Sequence, residues 1–67
     1  MTNTAFLQSK MKLNGVTISS LAKAIGLSAT GLHNKIHNKR EFVASEIFAI
    51  SKHLSLSLVE KEKIFFA

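Results

Sequence analysis

Residues that tolerate a left-handed backbone break this chain at short intervals, and between the breaks apolar residues recur every three or four positions. Asn14-Gly15, Gly26 and Asn38 are the breaks. Gly and Asn adopt the left-handed conformation that closes a helix at low cost. The intervening spacing is the signature of amphipathic helices, so the expected fold class is all-α, with five short helices in a single domain spanning residues 1–67. A first helix runs from about Thr4 to Leu13, with Leu7 and Met11 inward and Phe6 beside them. Thr17 caps a second helix, whose stripe is Leu21, Ala22 and Ile25 and whose stop is Gly26. Ser28 caps a third through His37, with Leu32 and Ile36 inward. Glu41-Phe42 leads into a fourth holding Ile47, Ile50 and Leu54. Ser57, with Glu60 three residues on, forms a capping box for a fifth ending in Ile64-Phe65-Phe66.

Composition limits how such a set can be stabilised. The chain has 67 residues and no cysteine, so neither disulfides nor thiolate metal sites contribute. A domain this small depends on packing aliphatic and Phe side chains, and 46% apolar residues supply them. No apolar run approaches the ~18–20 residues that span a bilayer. Met1 to Gln8 lacks the basic start and apolar stretch of a signal peptide. The expectation is a soluble intracellular protein with no membrane partner.

Charge is divided unevenly. The first forty residues carry Lys10, Lys12, Lys23, Lys35, Lys39 and Arg40 and no acid, while the remainder carries Lys52, Lys61 and Lys63 against Glu41, Glu46, Glu60 and Glu62. A basic half joined to a near-neutral one suits a surface that faces a polyanion, and equally a small domain kept soluble by net charge.

Thr17 to Arg40 separates these readings. Two helices joined by only Gly26-Leu27-Ser28 cannot lie antiparallel and must cross steeply. Ala22 is small where they approach, and Leu21, Ile25, Leu27, Leu32 and Ile36 lock the pair to the core. This is the recipe for a helix-turn-helix over about residues 17–38. Ala29, Thr30, His33, Asn34 and His37 form one stripe opposite Leu32 and Ile36, the base-reading stripe of such a motif. There the Asn34 amide matches adenine, and His33 and Thr30 reach base edges or phosphates. Thr17, Ser19, Ser28, Lys35, Lys39 and Arg40 are the expected phosphate contacts.

On "SSLAKAIGLSATGL", "NKIHNKREF", "SEIFAISKHL" and "EKIFF", most of the chain resembles the small Cro/CI-type helix-turn-helix proteins of temperate phages, especially those of Gram-positive hosts. The resemblance implies a lambda-repressor-like domain that binds double-stranded operator DNA as a dimer or paired monomers. It also implies a role in the choice between lysis and lysogeny, in the cytoplasm of a bacterial host cell. Ile18 stands where many members have Gln, Lys35 occupies the slot of the last buried recognition-helix residue, and Asn38 replaces the commoner Gly. Ala29-Thr30-Gly31, the leading end of the recognition helix, is short of hydrogen-bonding reach, and Gly31 costs about 1 kcal/mol of helix stability relative to Ala.

Those departures motivate an alternative function, a modulator or antirepressor that grips a phage repressor protein with the same face. Phe65 and Phe66 are a candidate surface for a partner or a weak homodimer, since adjacent residues of one helix cannot both point inward. Catalysis is not expected. Ser19, Ser20 and Ser28 have no base and carboxylate arranged around them, and the three glycines form no phosphate loop. No cofactor and no metal is expected: His33 and His37 have no further ligand in the first forty residues, and His53 suits a helix C-terminus.

Overall fold

All but one of the helices among the described residues start where the capping residue's side chain takes up an otherwise orphaned backbone N–H. The computed structural model describes residues 1–66, and among them are α1 (Thr4–Leu13), α2 (Ile18–Ile25), α3 (Ala29–Ile36), α4 (Ala44–His53) and α5 (Leu58–Phe65), with no strand. Asn3 caps α1 by accepting the Phe6 N–H at 3.1 Å. Thr17 accepts the Ser20 N–H at 3.1 Å and donates its own N–H to the Ser20 hydroxyl at 3.0 Å, a reciprocal box opening α2. Ser28 accepts from Gly31 at 3.0 Å, and Ser57 and Glu60 exchange bonds of 3.1 and 2.9 Å. α4 is the exception: Val43 has no capping oxygen, and only the return bond exists, from the Val43 N–H to Glu46 Oε1 at 3.0 Å.

The helix ends follow the break residues. Gly15 and Gly26 lie at φ 64° and 79°, and Asn38 at φ 63°. The third helix stops one residue earlier than its spacing suggests, with His37 as the half-helical cap, and Leu54 likewise caps α4 instead of lying within it. In both cases the apolar register is unchanged, because Ile36 and Leu54 remain buried.

The core is Leu7, Met11, Leu21, Ala22, Leu32, Ile36, Ile50, Leu54, Ile64 and Phe65, which draws on all five helices or their caps. Phe6, Ile25, Leu27 and Ile47 pack against it half-buried. A fully buried aliphatic or Phe side chain contributes about 1.5–3 kcal/mol, so this cluster is the principal source of stability. Phe65 meets Phe42 edge-to-face, with ring centroids 5.3 Å apart and planes at 84°, the arrangement that ring quadrupoles favour.

The N-terminal residues act as a strap. Thr2 donates its N–H to Asn38 Oδ1 at 2.7 Å, and Asn38 Nδ2 donates back to the Thr2 carbonyl at 3.0 Å. The Asn3 N–H goes to the Ile64 carbonyl at 2.7 Å, and the Thr4 hydroxyl donates to the Ile36 carbonyl at 2.6 Å. The exit of α3 is thereby tied to the start of α1 and the end of α5. Lys10 and Glu60, 2.8 Å apart, join α1 to α5 a second time. No helix among the described residues is long and apolar enough to cross a membrane.

Candidate nucleic-acid interface

α3 is held from one side only. Leu32 and Ile36 are fully buried, while Ala29, Thr30, His33 and His37 are exposed and Asn34 is half-buried. The stripe expected from helical spacing is therefore assembled on one face. The rings of His33 and His37 touch, with centroids 4.3 Å apart and planes tilted by 40°, so they present one continuous surface. Among the described residues no group of three or more His, Cys, Asp or Glu is placed to hold a metal ion.

At the leading end of α3, the Ser28 oxygen is engaged with the Gly31 N–H. What is left for an anion there is the Ser28 hydroxyl proton and the N–H groups of Ala29 and Thr30, which have no acceptor within the helix. Thr17 is more fully occupied, since its hydroxyl and N–H both pair with Ser20. Ser19 is exposed beside it.

Lys35 departs from its expected phosphate-contacting role. Its Nζ lies 2.6 and 2.7 Å from the two carboxylate oxygens of Glu46, and the side chains are only 14% and 12% exposed. An ammonium held this way across α3 and α4 is not free to meet a phosphate. Glu46 Oε1 also accepts the Val43 N–H, so one carboxylate caps α4 and anchors α3. Burial raises the Glu46 pKa, but the hydrogen bonds from Lys35 and Val43 and the charge of Lys35 together hold it below its ordinary value. A lysine enclosed between α3 and α4 needs a carboxylate partner, and Glu46 supplies it.

Lys39 and Arg40 lie just past α3, exposed, and neither takes part in an ion pair among the described residues. With Lys35, Glu41, Leu27, Gly31 and Val43 they line an open hollow of about 620 Å³ beside α3. Gly31 lines this hollow, and a Cβ there would sit 3.0 Å from the Ser28 Oγ that caps α3. Sequence reasoning took Gly31 as a cost to the helix and missed its part in the hollow.

Phe65 and Phe66, grouped beforehand as one candidate surface, divide. Phe65 is 6% exposed and belongs to the core, whereas Phe66 is 65% exposed. The neighbours Ile64 and Phe65 both pack inward, Phe65 against Phe42, while Phe66 is the cap that follows the helix.

Comparison with known proteins finds no matching family model, no matching curated protein and no matching solved structure.

Proposed function

We propose that this chain is a sequence-specific DNA-binding regulator built on a lambda-repressor-like helix-turn-helix, with α2 and α3 as the two helices and α3 entering the major groove. In this reading it serves a phage lysis–lysogeny switch in a bacterial cytoplasm. The observation that carries the reading is the placement of uncommitted polar groups. Thr30, His33, Asn34 and His37 share the open face of α3, Lys39 and Arg40 at its exit take part in no ion pair among the described residues, and no acid occurs in the first forty residues. A groove-entering helix needs base-edge donors along it and cations beside it.

The test is binding of the purified protein to the DNA upstream of its own gene and to scrambled DNA, across a salt series. The expected result is a preference for the upstream DNA and an affinity that falls steeply with salt. Lys39→Ala and Arg40→Ala should each weaken binding to all sequences alike and flatten the logarithmic salt slope by about 1. Asn34→Ala should instead change base preference, by about 1–3 kcal/mol at one position. An equal loss on every sequence would remove Asn34 from base reading.

A second reading has its own support. The hollow beside α3 combines apolar residues, including the 53% exposed Val43, with Lys39, Arg40 and the acid Glu41, and the leading end of α3 offers only Ala29, Thr30 and Gly31. Such a surface suits a partner repressor protein as well as it suits phosphates. Weak DNA binding without preference, together with tight binding of a repressor that is lost in Val43→Glu, would favour the modulator reading.

A further inference from the structure

His33 and His37 are two of the three histidines in the chain, and the fold brings their rings into contact. They stand four residues apart, the separation at which side chains of one helix lie one above the other. His37 is the cap of α3, and its N–H still donates to the His33 carbonyl at 3.0 Å, so the last turn of the helix fixes the spacing between the two. Both residues are exposed, and neither takes part in an ion pair among the described residues. Their ring centroids are 4.3 Å apart, with planes tilted by 40°.

Two imidazoles at this distance fit a single metal ion. Imidazole nitrogens bind zinc at about 2.0–2.1 Å, and with about 90–110° between the donors the two ring centroids come to about 4.5–5 Å apart. The observed 4.3 Å falls a few tenths of an ångström short of that range, a difference that the broad χ2 torsion of an exposed histidine covers. Histidines at this spacing on one helix face act elsewhere as a two-donor unit for zinc. Nitrogen donors without a carboxylate select Cu²⁺, Ni²⁺ and Zn²⁺ over Mg²⁺ and Ca²⁺. Among the described residues no group of three or more His, Cys, Asp or Glu is placed to hold a metal, and the sequence alone therefore points to none. The lack of a third ligand sets the kind of site instead of forbidding one. Water takes the remaining coordination positions, and the ion exchanges with solution. The net charge of +5 works in the same direction, since it repels cations.

We propose that His33 and His37 chelate one exchangeable divalent transition ion, which staples the last turn of α3. The ion binds the folded chain in preference to the unfolded one, because only the helix sets both rings on one side. The inference concerns the ion alone and does not rest on what the face of α3 recognises.

The experiment is a calorimetric titration of the full chain with Ni²⁺ at mildly alkaline pH, since imidazole takes a metal only in its neutral form. The wild type should bind one Ni²⁺ per chain, and Mg²⁺ should produce no such binding. His33→Ala and His37→Ala should each weaken binding by at least about tenfold, because the second donor of a chelate binds intramolecularly. His53→Ala, at the end of α4, should leave the affinity unchanged. Saturating Ni²⁺ should raise the thermal midpoint of the wild type by about 5 °C or more, and should raise that of His33→Ala or His37→Ala by less. In the wild type itself, substoichiometric Ni²⁺ should broaden the imidazole NMR signals of His33 and His37 together, ahead of that of His53. This last readout stands even where an alanine variant fails to fold. Wild-type binding no tighter than that of the single variants overturns the proposal, since it marks two independent one-donor sites. Equal broadening at all three histidines overturns it as well.

Discussion

Leu32→Ala is expected to leave the chain largely unfolded near physiological temperature. Leu32 is fully buried, and truncating such a leucine costs about 2–5 kcal/mol, through lost transfer energy and the cavity left behind. A domain of this size has roughly 3–10 kcal/mol of total stability, at about 0.05–0.15 kcal/mol per residue, and no disulfide holds the unfolded chain together. α3 has eight residues, too few to stay helical without its contacts, so the loss removes the candidate interface along with the fold. Phe66→Ala removes more carbon from an exposed position and should change stability by no more than about 0.5 kcal/mol. Urea unfolding followed by circular dichroism compares the two. Similar midpoints for the two variants would contradict the assignment of Leu32 to the core.

Lys35→Met is expected to destabilise the domain by about 1–3 kcal/mol at neutral pH, because it leaves the Glu46 carboxylate enclosed with one partner, the Val43 N–H. The pH dependence has a definite sign. In the folded wild type the Glu46 carboxyl sits below its ordinary value, so the unfolded chain binds this proton more readily. The stabilisation is complete above the ordinary carboxylate range and is lost as pH falls through the folded value. In Lys35→Met, burial acts on Glu46 without the ammonium to oppose it. Its deficit against wild type should therefore be largest at neutral pH and shrink as acid protonates the carboxyl. Adding Glu46→Gln, which keeps an oxygen for the Val43 N–H, should recover part of the loss, since the two residues act as one unit. A Lys35→Met protein as stable as wild type at neutral pH would show that the pair contributes no net stability.

These two residues mark how far the chain could be read before folding. Leu32 was legible because helical spacing alone assigns it to the inner face, and the same holds for Leu7, Met11, Leu21, Ile36, Ile50 and Leu54, all of them buried. Lys35 was not, because whether a cation near a helix's flank meets solvent or a carboxylate depends on a neighbour eleven residues away, across a loop of non-helical backbone. Ser55 adopts φ 52° between α4 and α5 although serine carries no special tolerance for that region; burial of Leu54, with Leu56 half-buried against the core, outweighs local preference.

Local chemistry was thus sufficient for the number of helices, their caps at Thr17, Ser28 and Ser57, the breaks at Gly15, Gly26 and Asn38, and the open stripe of α3. These depend on backbone preferences and on bonds within three or four residues, which any stretch of chain carries with it. Tertiary structure alone decided the tie of Lys35 to Glu46, the clasp of Thr2 on Asn38, and the inward turn of Phe65 with the outward turn of Phe66. Each of these joins residues distant in sequence, and the energy that selects them exists only once the helices have packed.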